Sequence, residues 1–132
     1  MKKQVIFNLP VRDLDKSRAF FAALGFGFKQ DFSNPNAAYM VVVEDAIDVL
    51  LTTEAFFGSL TGKPVVRAKE ANEIVICLNC DSREELDGLI ARATKAGARI
   101  PHPPEDNGFM VDQGFEDLDG HLWNLVWMAP RA

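Results

Sequence analysis

The predicted secondary structure of this sequence repeats, and each half runs strand, helix and then three strands. The two halves can be aligned at their predicted helix ends, Leu24–Phe26 and Ala96–Ala98. This alignment matches Gly25 with Gly97 and sets the repeat length at 72 residues. A unit of this kind can curl one sheet and keep its helix on the outside. The sequence therefore predicts an α+β fold of two βαβββ modules, whose curled mixed sheets enclose a cleft.

The first half contains a well-bounded helix. Asp13 is a favourable N-cap, Leu14–Leu24 carries an apolar stripe, and Gly25 provides the stop. The predicted strands are Gln4–Val11, Phe26–Phe32, Ala38–Val43 and Ile47–Thr52, with a turn at Ser33–Asn36 and a short turn or helix at Glu54–Phe57.

The second half begins with an apolar strand, and either Asp81 or Ser82 caps the helix that follows. The sequence Ser82–Glu85 fits a capping box, and Gly97 ends this helix. Prolines surround His102, so the short strand there is expected at a sheet edge. The predicted strands are Glu73–Cys80, Arg99–His102, Phe109–Phe115 and His121–Met128.

A length of 132 residues favours one domain with one core. Within residues 1–132 we place module one at 1–58, a linker rich in loop-forming residues at 59–70 and module two at 71–132.

Composition excludes several classes of partner. The net charge is −5, and the chain has no cluster of Lys and Arg, so nucleic acid is not an expected partner. The basic N-terminus is followed by only a short apolar stretch, which fits neither a signal peptide nor a membrane span. We therefore expect a cytoplasmic protein that does not associate with membranes.

Two asparagines occur at otherwise apolar positions. Asn124 shares one face of the last predicted strand with Leu122, Val126 and Met128, while Trp123 lies on the opposite face. Asn8 is similarly placed on the first strand. An unpaired amide is costly to bury, so each must bond to protein, to water or to a ligand.

The two cysteines form the pattern Cys77-Leu78-Asn79-Cys80. Because this pattern lies at the end of a predicted strand, the two side chains point to opposite faces and sit ~10 Å apart. We interpret them as two reduced, partly buried thiols, in preference to a redox-active pair.

Three segments resemble the vicinal oxygen chelate superfamily, which contains glyoxalase I, bleomycin-resistance proteins and extradiol dioxygenases. Leu9–Phe21 is similar to the opening motif of the family, Leu24–Phe26 to its helix exit, and Phe115–Leu125 to its closing motif, with Leu118 in place of proline. The resemblance extends over almost the whole chain. It implies a cleft for a small organic molecule, a divalent metal in the enzymes and a homodimer.

The resemblance also assigns four positions to metal ligands, near Ile6, Leu50, Val75 and Asn124. Three of these residues are aliphatic, whereas a hard divalent ion needs several oxygen or nitrogen ligands. A shift of two residues would bring in Asn8, Asp48 and Cys77. We therefore predict no metal site and no cofactor, although this shift leaves an unusual divalent site open.

The candidate ligand-binding residues are amides, a thiol, a carboxylate and apolar side chains near the expected mouth of the cleft. Both histidines, His102 and His121, are interpreted as surface or structural residues. No catalytic residue is assigned. The predicted ligand-binding residues are Asn8, Glu54, Cys77, Phe109, Met110 and Asn124.

Three functional hypotheses follow from the resemblance. The first is a metal-free binder of a small organic molecule, of the bleomycin-resistance type. The alternative is a metal-dependent lyase similar to lactoylglutathione lyase, or an enzyme related to the dioxygenases, so the sequence leaves catalysis open. A third hypothesis is a module whose cleft is closed and whose role is subunit contact.

Overall fold

The predicted repeat is present in the structure, a computed structural model that describes residues 2–130. The chain forms two compact units, unit 1 at Met1–Val66 and unit 2 at Arg67–Ala132. Each unit contains one four-stranded mixed sheet, and the order of strands is equivalent in the two sheets. The α+β class and the two βαβββ modules are confirmed. Within residues 2–130, no helix is long and apolar enough to span a membrane.

Unit 1 has the strand order β1-β4-β3-β2. Strand β1 is parallel to β4, and the other neighbours are antiparallel. This order leaves β1 and β2 as the two edges of the sheet. Its elements are β1 (Val5–Val11), α1 (Leu14–Ala23), β2 (Gly27–Asn34), β3 (Ala37–Val43), β4 (Ile47–Thr53) and α2 (Glu54–Thr61).

Helix α1 packs on β3 and β4 and covers one face of this sheet. Asp13 caps the helix, as predicted, and its side chain accepts a backbone amide of the first turn. Strand alternation places Val49 and Leu51 on the covered face, and both are fully buried. Phe20 and Phe21 are buried on the helix, and their rings meet edge to face at 5.0 Å. The core of unit 1 therefore lies between α1 and the sheet.

Unit 2 has the strand order β5-β8-β7-β6, with β5 parallel to β8. The N-cap of its helix is Ser82, whose hydroxyl accepts the Glu85 amide at 3.0 Å. The Glu85 carboxylate accepts the Asp81 amide at 2.7 Å, one residue before the position a capping box predicts. The elements are β5 (Val75–Asn79), α3 (Arg83–Lys95), β6 (Glu105–Asp106), β7 (Met110–Glu116) and β8 (Leu122–Met128).

The core of unit 2 lies between α3 and one face of its sheet. Leu86 and Ala93 of the helix are fully buried, and so are Trp123 and Leu125 of β8. The ring of Phe115 on β7 is stacked parallel to the Trp123 indole, with centroids 6.3 Å apart. The predicted division of β8 into two faces is thus correct, because the Trp123 face is the one that the helix covers.

The prediction of a strand at Arg99–His102 is wrong. This segment makes only one bridge, between Arg99 and Glu116, and the edge strand of the sheet is Glu105–Asp106. Pro101, Pro103 and Pro104 have no amide hydrogen, so the segment cannot extend a ladder.

Two boundaries in unit 1 also differ from prediction. Strand β2 continues to Asn34, so the turn contains only Pro35 and Asn36. The Ser33 hydroxyl donates to the Lys29 carbonyl at 2.9 Å and accepts the Tyr39 amide at 3.3 Å, which holds the strand in place. The element predicted at Glu54–Phe57 is helix α2, whose start Thr53 caps. The helix extends to Thr61, and Gly62 ends it with a positive φ.

Candidate functional site

The face of the unit 1 sheet opposite the α1 side is partly open and carries polar residues. The strand pairing aligns Asn8, Leu50, Tyr39 and Lys29 in one row across all four strands. We call this surface, together with Asp48, the far face of unit 1. The four side chains of the row are half-buried. The Asn8 amide and the Tyr39 ring flank the apolar Leu50, and Lys29 lies beyond Tyr39.

An ion pair lies on the far face of unit 1. The Lys29 ammonium donates to the Asp48 carboxylate at 2.9 Å, and this bond raises the pKa of Lys29. The Asp48 side chain is only 3% exposed, whereas that of Lys29 is 31% exposed. The Lys29 nitrogen also lies 5.1 Å from the centroid of the Tyr39 ring, within the range of a cation–π contact. The carboxylate is thus buried, and its cationic partner reaches solvent.

The corresponding face of unit 2 carries the second amide. Strand pairing places Asn124 between Cys77 of β5 and Gly114 of β7, on the face opposite the helix-covered Trp123. Because Gly114 has no side chain, the Asn124 oxygen lies 3.4 Å from the point that a Cβ at Gly114 would occupy. We call this surface the far face of unit 2. Within residues 2–130, the side chains of Asn8 and Asn124 make no hydrogen bond to protein.

Comparison with known proteins gives a consistent picture. Residues 3–43 match the family described as "Bleomycin resistance protein-like N-terminal". No curated protein sequence matches the chain. A hypothetical protein from S. aureus is 29% identical, with 96% of this chain and 95% of that chain covered and a TM-score of 0.81.

Two further solved structures share the fold at lower identity. A glyoxalase/bleomycin resistance protein/dioxygenase family enzyme from Burkholderia phytofirmans PsJN is 15% identical, covers 93% of this chain and 96% of its own, and has a TM-score of 0.76. A bleomycin resistance determinant encoded on the transposon Tn5 is 22% identical, with 96% of this chain and 98% of that chain covered, and has a TM-score of 0.65. The chain shares the fold of these glyoxalase/bleomycin-resistance/dioxygenase structures, and its residues 3–43 are similar to a bleomycin-resistance family.

The residues at the four positions that the resemblance assigns to metal ligands do not fit a metal. Ile6, Leu50 and Val75 have no donor atom, and Asn124 alone supplies one neutral oxygen. The strand register places Asn8 beside Leu50 and Cys77 beside Asn124, two residues after Ile6 and Val75. Among residues 2–130, no three His, Cys, Asp or Glu side chains are grouped so that they could hold an ion.

The remaining predicted site residues lie at the ends of elements. Glu54 is the first residue of α2 and is half-buried. Phe109 is 62% exposed just before β7, and Met110 begins that strand opposite Met128. The segment before β7 is fixed, because Arg83 donates to the Asp106 carboxylate at 2.7 and 3.1 Å and to the Gly108 carbonyl at 3.0 Å. A role for Glu54, Phe109 or Met110 in ligand binding stays a prediction.

The two thiols have different environments. Cys80 is buried, and burial raises the pKa of its thiol to about 11, with Glu85 and Asp81 adding to the effect. The prediction that both thiols are partly buried is wrong for Cys77, which is exposed on the far face of unit 2. Both cysteines are free, as predicted.

This difference predicts selective alkylation. Only the thiolate is nucleophilic, so at neutral pH iodoacetamide should modify Cys77 and leave Cys80 unmodified in the folded protein. Mass spectrometry of peptides from native and urea-unfolded samples measures both sites. Equal modification of the two cysteines in the native sample would contradict the burial of Cys80.

A buried carboxylate that sequence reasoning missed organises the turn before β8. One oxygen of Asp117 accepts the amides of Asp119 and His121 at 3.0 Å each, and the other accepts the Trp123 indole N–H at 3.1 Å. Burial raises the pKa of Asp117, while His121 and these hydrogen bonds act in the opposite direction. The sequence signal was an Asx turn two residues before Asp119-Gly120. His121 is buried beside this turn, as expected for a structural residue.

Proposed function

We propose that this protein binds small organic molecules on the far face of each unit and uses no metal of its own. One observation supports this proposal most strongly. Asn8 and Asn124 both lie in half-buried positions, with hydrogen-bonding groups that no protein group takes up within residues 2–130. An organic ligand would supply the missing hydrogen bonds and cover the neighbouring apolar atoms.

The residues around each amide suit this role. Leu50 adjoins Asn8 in the row of unit 1 and Tyr39 follows Leu50, while Leu122 and Val126 flank Asn124 on its own strand. Apolar and aromatic surface with a few placed polar groups is typical of small-molecule sites. Metal-dependent lyase chemistry is less well supported, because the donors it would need are replaced by aliphatic side chains. A homodimer, which the resemblance implies, is part of the same proposal.

Thermal unfolding tests the proposal, because a ligand that binds only the folded state must raise Tm. We expect Tm to rise with bleomycin, since one protein of the same fold is a bleomycin resistance determinant, or with other organic amines and aromatic compounds. We expect no rise with stoichiometric Ni, Zn, Mn or Fe. At a ligand concentration ~100 times Kd, the ratio of folded to unfolded protein should rise about 100-fold.

Substitution of the amides assigns the site. Asn8→Ala and Asn124→Ala should each weaken binding at its own far face about tenfold, the effect expected when a ligand hydrogen bond of ~1.4 kcal/mol is lost. The control Asn36→Ala alters an exposed turn residue and should bind like the parent. Parental affinity in both strand variants would show that the far faces are not the site, and stoichiometric metal stabilisation would favour the lyase.

A further inference from the structure

The far face of unit 1 contains the two groups that recognise an organic ammonium ion. A carboxylate attracts the positive charge and accepts its N–H bonds, and an aromatic ring attracts the charge through its π face. Asp48 supplies the carboxylate and Tyr39 supplies the ring. In this structure the cation between them belongs to the protein itself, at the end of the Lys29 side chain.

We propose that Asp48 and Tyr39 form a binding site for an organic ammonium ion, and that Lys29 occupies this site as an internal competitor. The proposal rests on the proposed function, because it names the ligand class for the far face of unit 1. A ligand amine would take the place of the Lys29 ammonium, and the lysine side chain would move into solvent. The Asp48 carboxylate would then keep a cationic partner throughout.

The burial of the two partners supports this exchange. The Asp48 side chain is 3% exposed and belongs to β4, a central strand of the sheet. The Lys29 side chain is 31% exposed, so its ammonium can move to water without crossing protein. Water stabilises the released ammonium, whereas the buried carboxylate requires a replacement cation.

The position of Lys29 in the sheet also favours release. Lys29 belongs to β2, an edge strand with one neighbour only. The pairing of β2 with β3 becomes irregular directly after Lys29 and resumes at Asn34. Movement of this side chain breaks its contacts with Asp48 and Tyr39 but no backbone bond, so the ladders of the central strands stay in place.

The rest of the face indicates the body of the ligand. Leu50 lies between Tyr39 and Asn8 in the row, so an apolar group extending from the ammonium would lie on Leu50. Asn8, at the far end of that row, can donate to or accept from a polar group of the ligand. We therefore expect a primary or secondary ammonium attached to an apolar body with a distant polar group.

Chemical rescue tests the site without knowledge of the natural ligand. Lys29→Ala removes three methylene groups and the ammonium, which together correspond to propylammonium. This variant should have a lower Tm than the parent, because Asp48 loses its partner. Propylammonium should restore the Tm in a saturable manner, and at ~100 times its Kd it should raise the ratio of folded to unfolded variant about 100-fold. If the variant is unfolded without amine, circular dichroism follows its refolding in the same titration.

Matched variants and solutes separate specific rescue from general effects. Neutral 1-propanol and sodium chloride at the same concentrations should give no rescue, and the double variant Lys29→Ala with Asp48→Asn should lose the response to amine. Lys29→Arg keeps an internal cation, so its Tm should not respond to the amine. Lys63→Ala removes an exposed lysine of the same unit and should behave as the parent does.

The outcome is decisive in both directions. Amine rescue that requires Asp48 supports the site, whereas no rescue, or equal stabilisation of the parent and Lys29→Ala, overturns it. The proposed function fails separately, through parental ligand affinity of the Asn8→Ala and Asn124→Ala variants. A protein that binds organic compounds through Asn8 but shows no amine rescue would retain the function and lose this inference.

Discussion

Asp117→Ala is expected to lower the free energy of unfolding by about 3 kcal/mol. The substitution leaves three donors without their acceptor, two backbone amides and the Trp123 indole N–H, in a region that water does not reach. Each unsatisfied buried donor costs ~1–3 kcal/mol, and the removal of a buried carboxylate offsets part of that sum. Urea unfolding monitored by tryptophan fluorescence measures the change, because Trp123 lies in the affected core.

Asp87→Ala is the control for this variant. Asp87 is an exposed carboxylate on α3 in the same unit, so its removal should change stability by no more than ~0.5 kcal/mol. If Asp117→Ala were as stable as Asp87→Ala, the hydrogen bonds of the turn would contribute nothing to the fold. The His121 side chain, buried beside the turn, would then need another explanation for its position.

Gly120→Ala is expected to destabilise the protein by about 3–4 kcal/mol, for two separable reasons. The backbone angle φ at Gly120 is +88°, a region that costs a residue with a side chain roughly 1–2 kcal/mol. A Cβ there would also lie 2.7 Å from the backbone nitrogen of Lys69 and 2.9 Å from its Cα. Forcing these atoms apart adds roughly 1–3 kcal/mol. Thermal and urea unfolding both measure the loss.

Gly108→Ala separates the two contributions. Its φ is +90°, nearly the same as at Gly120, yet nothing lies within 4 Å of its Cβ position. This variant should lose only the roughly 1–2 kcal/mol of backbone strain. Equal losses at both positions would show that the segment at Lys69 can move away, and that the close approach does not restrain the turn before β8.

Most elements of this fold were predictable because their signals are local. Asp13 and Ser82 cap the two long helices, and the glycines after these helices, Gly25 and Gly97, both have positive φ. Alternation of apolar residues correctly divided β8 into a helix-covered face and an open face. The failure at Arg99–His102 is local as well, because three prolines outweighed a short apolar pattern.

The candidate site was only partly predictable. Asn8, Asn124 and Cys77 were identified because an amide or thiol stands out on an apolar strand. Their neighbours were not, because register between strands depends on pairing over the whole sheet. The mapping of metal positions to Ile6 and Val75 illustrates this, since the sheets place Asn8 and Cys77 beside the other two positions.

The sequence by itself determined the repeated order of elements, the resemblance to the superfamily and the aliphatic residues at the positions that the resemblance assigns to a metal, since these depend on residue type and short spacing. Tertiary structure alone decided the burial of Asp48 and Asp117. Asp48 meets Lys29 across 19 residues of chain, and only the packing of β2, β3 and β4 brings a lysine of an edge strand over a carboxylate of a central one. A carboxylate becomes buried only when several strands and helices pack around it, so its burial cannot be predicted from any single segment of the sequence.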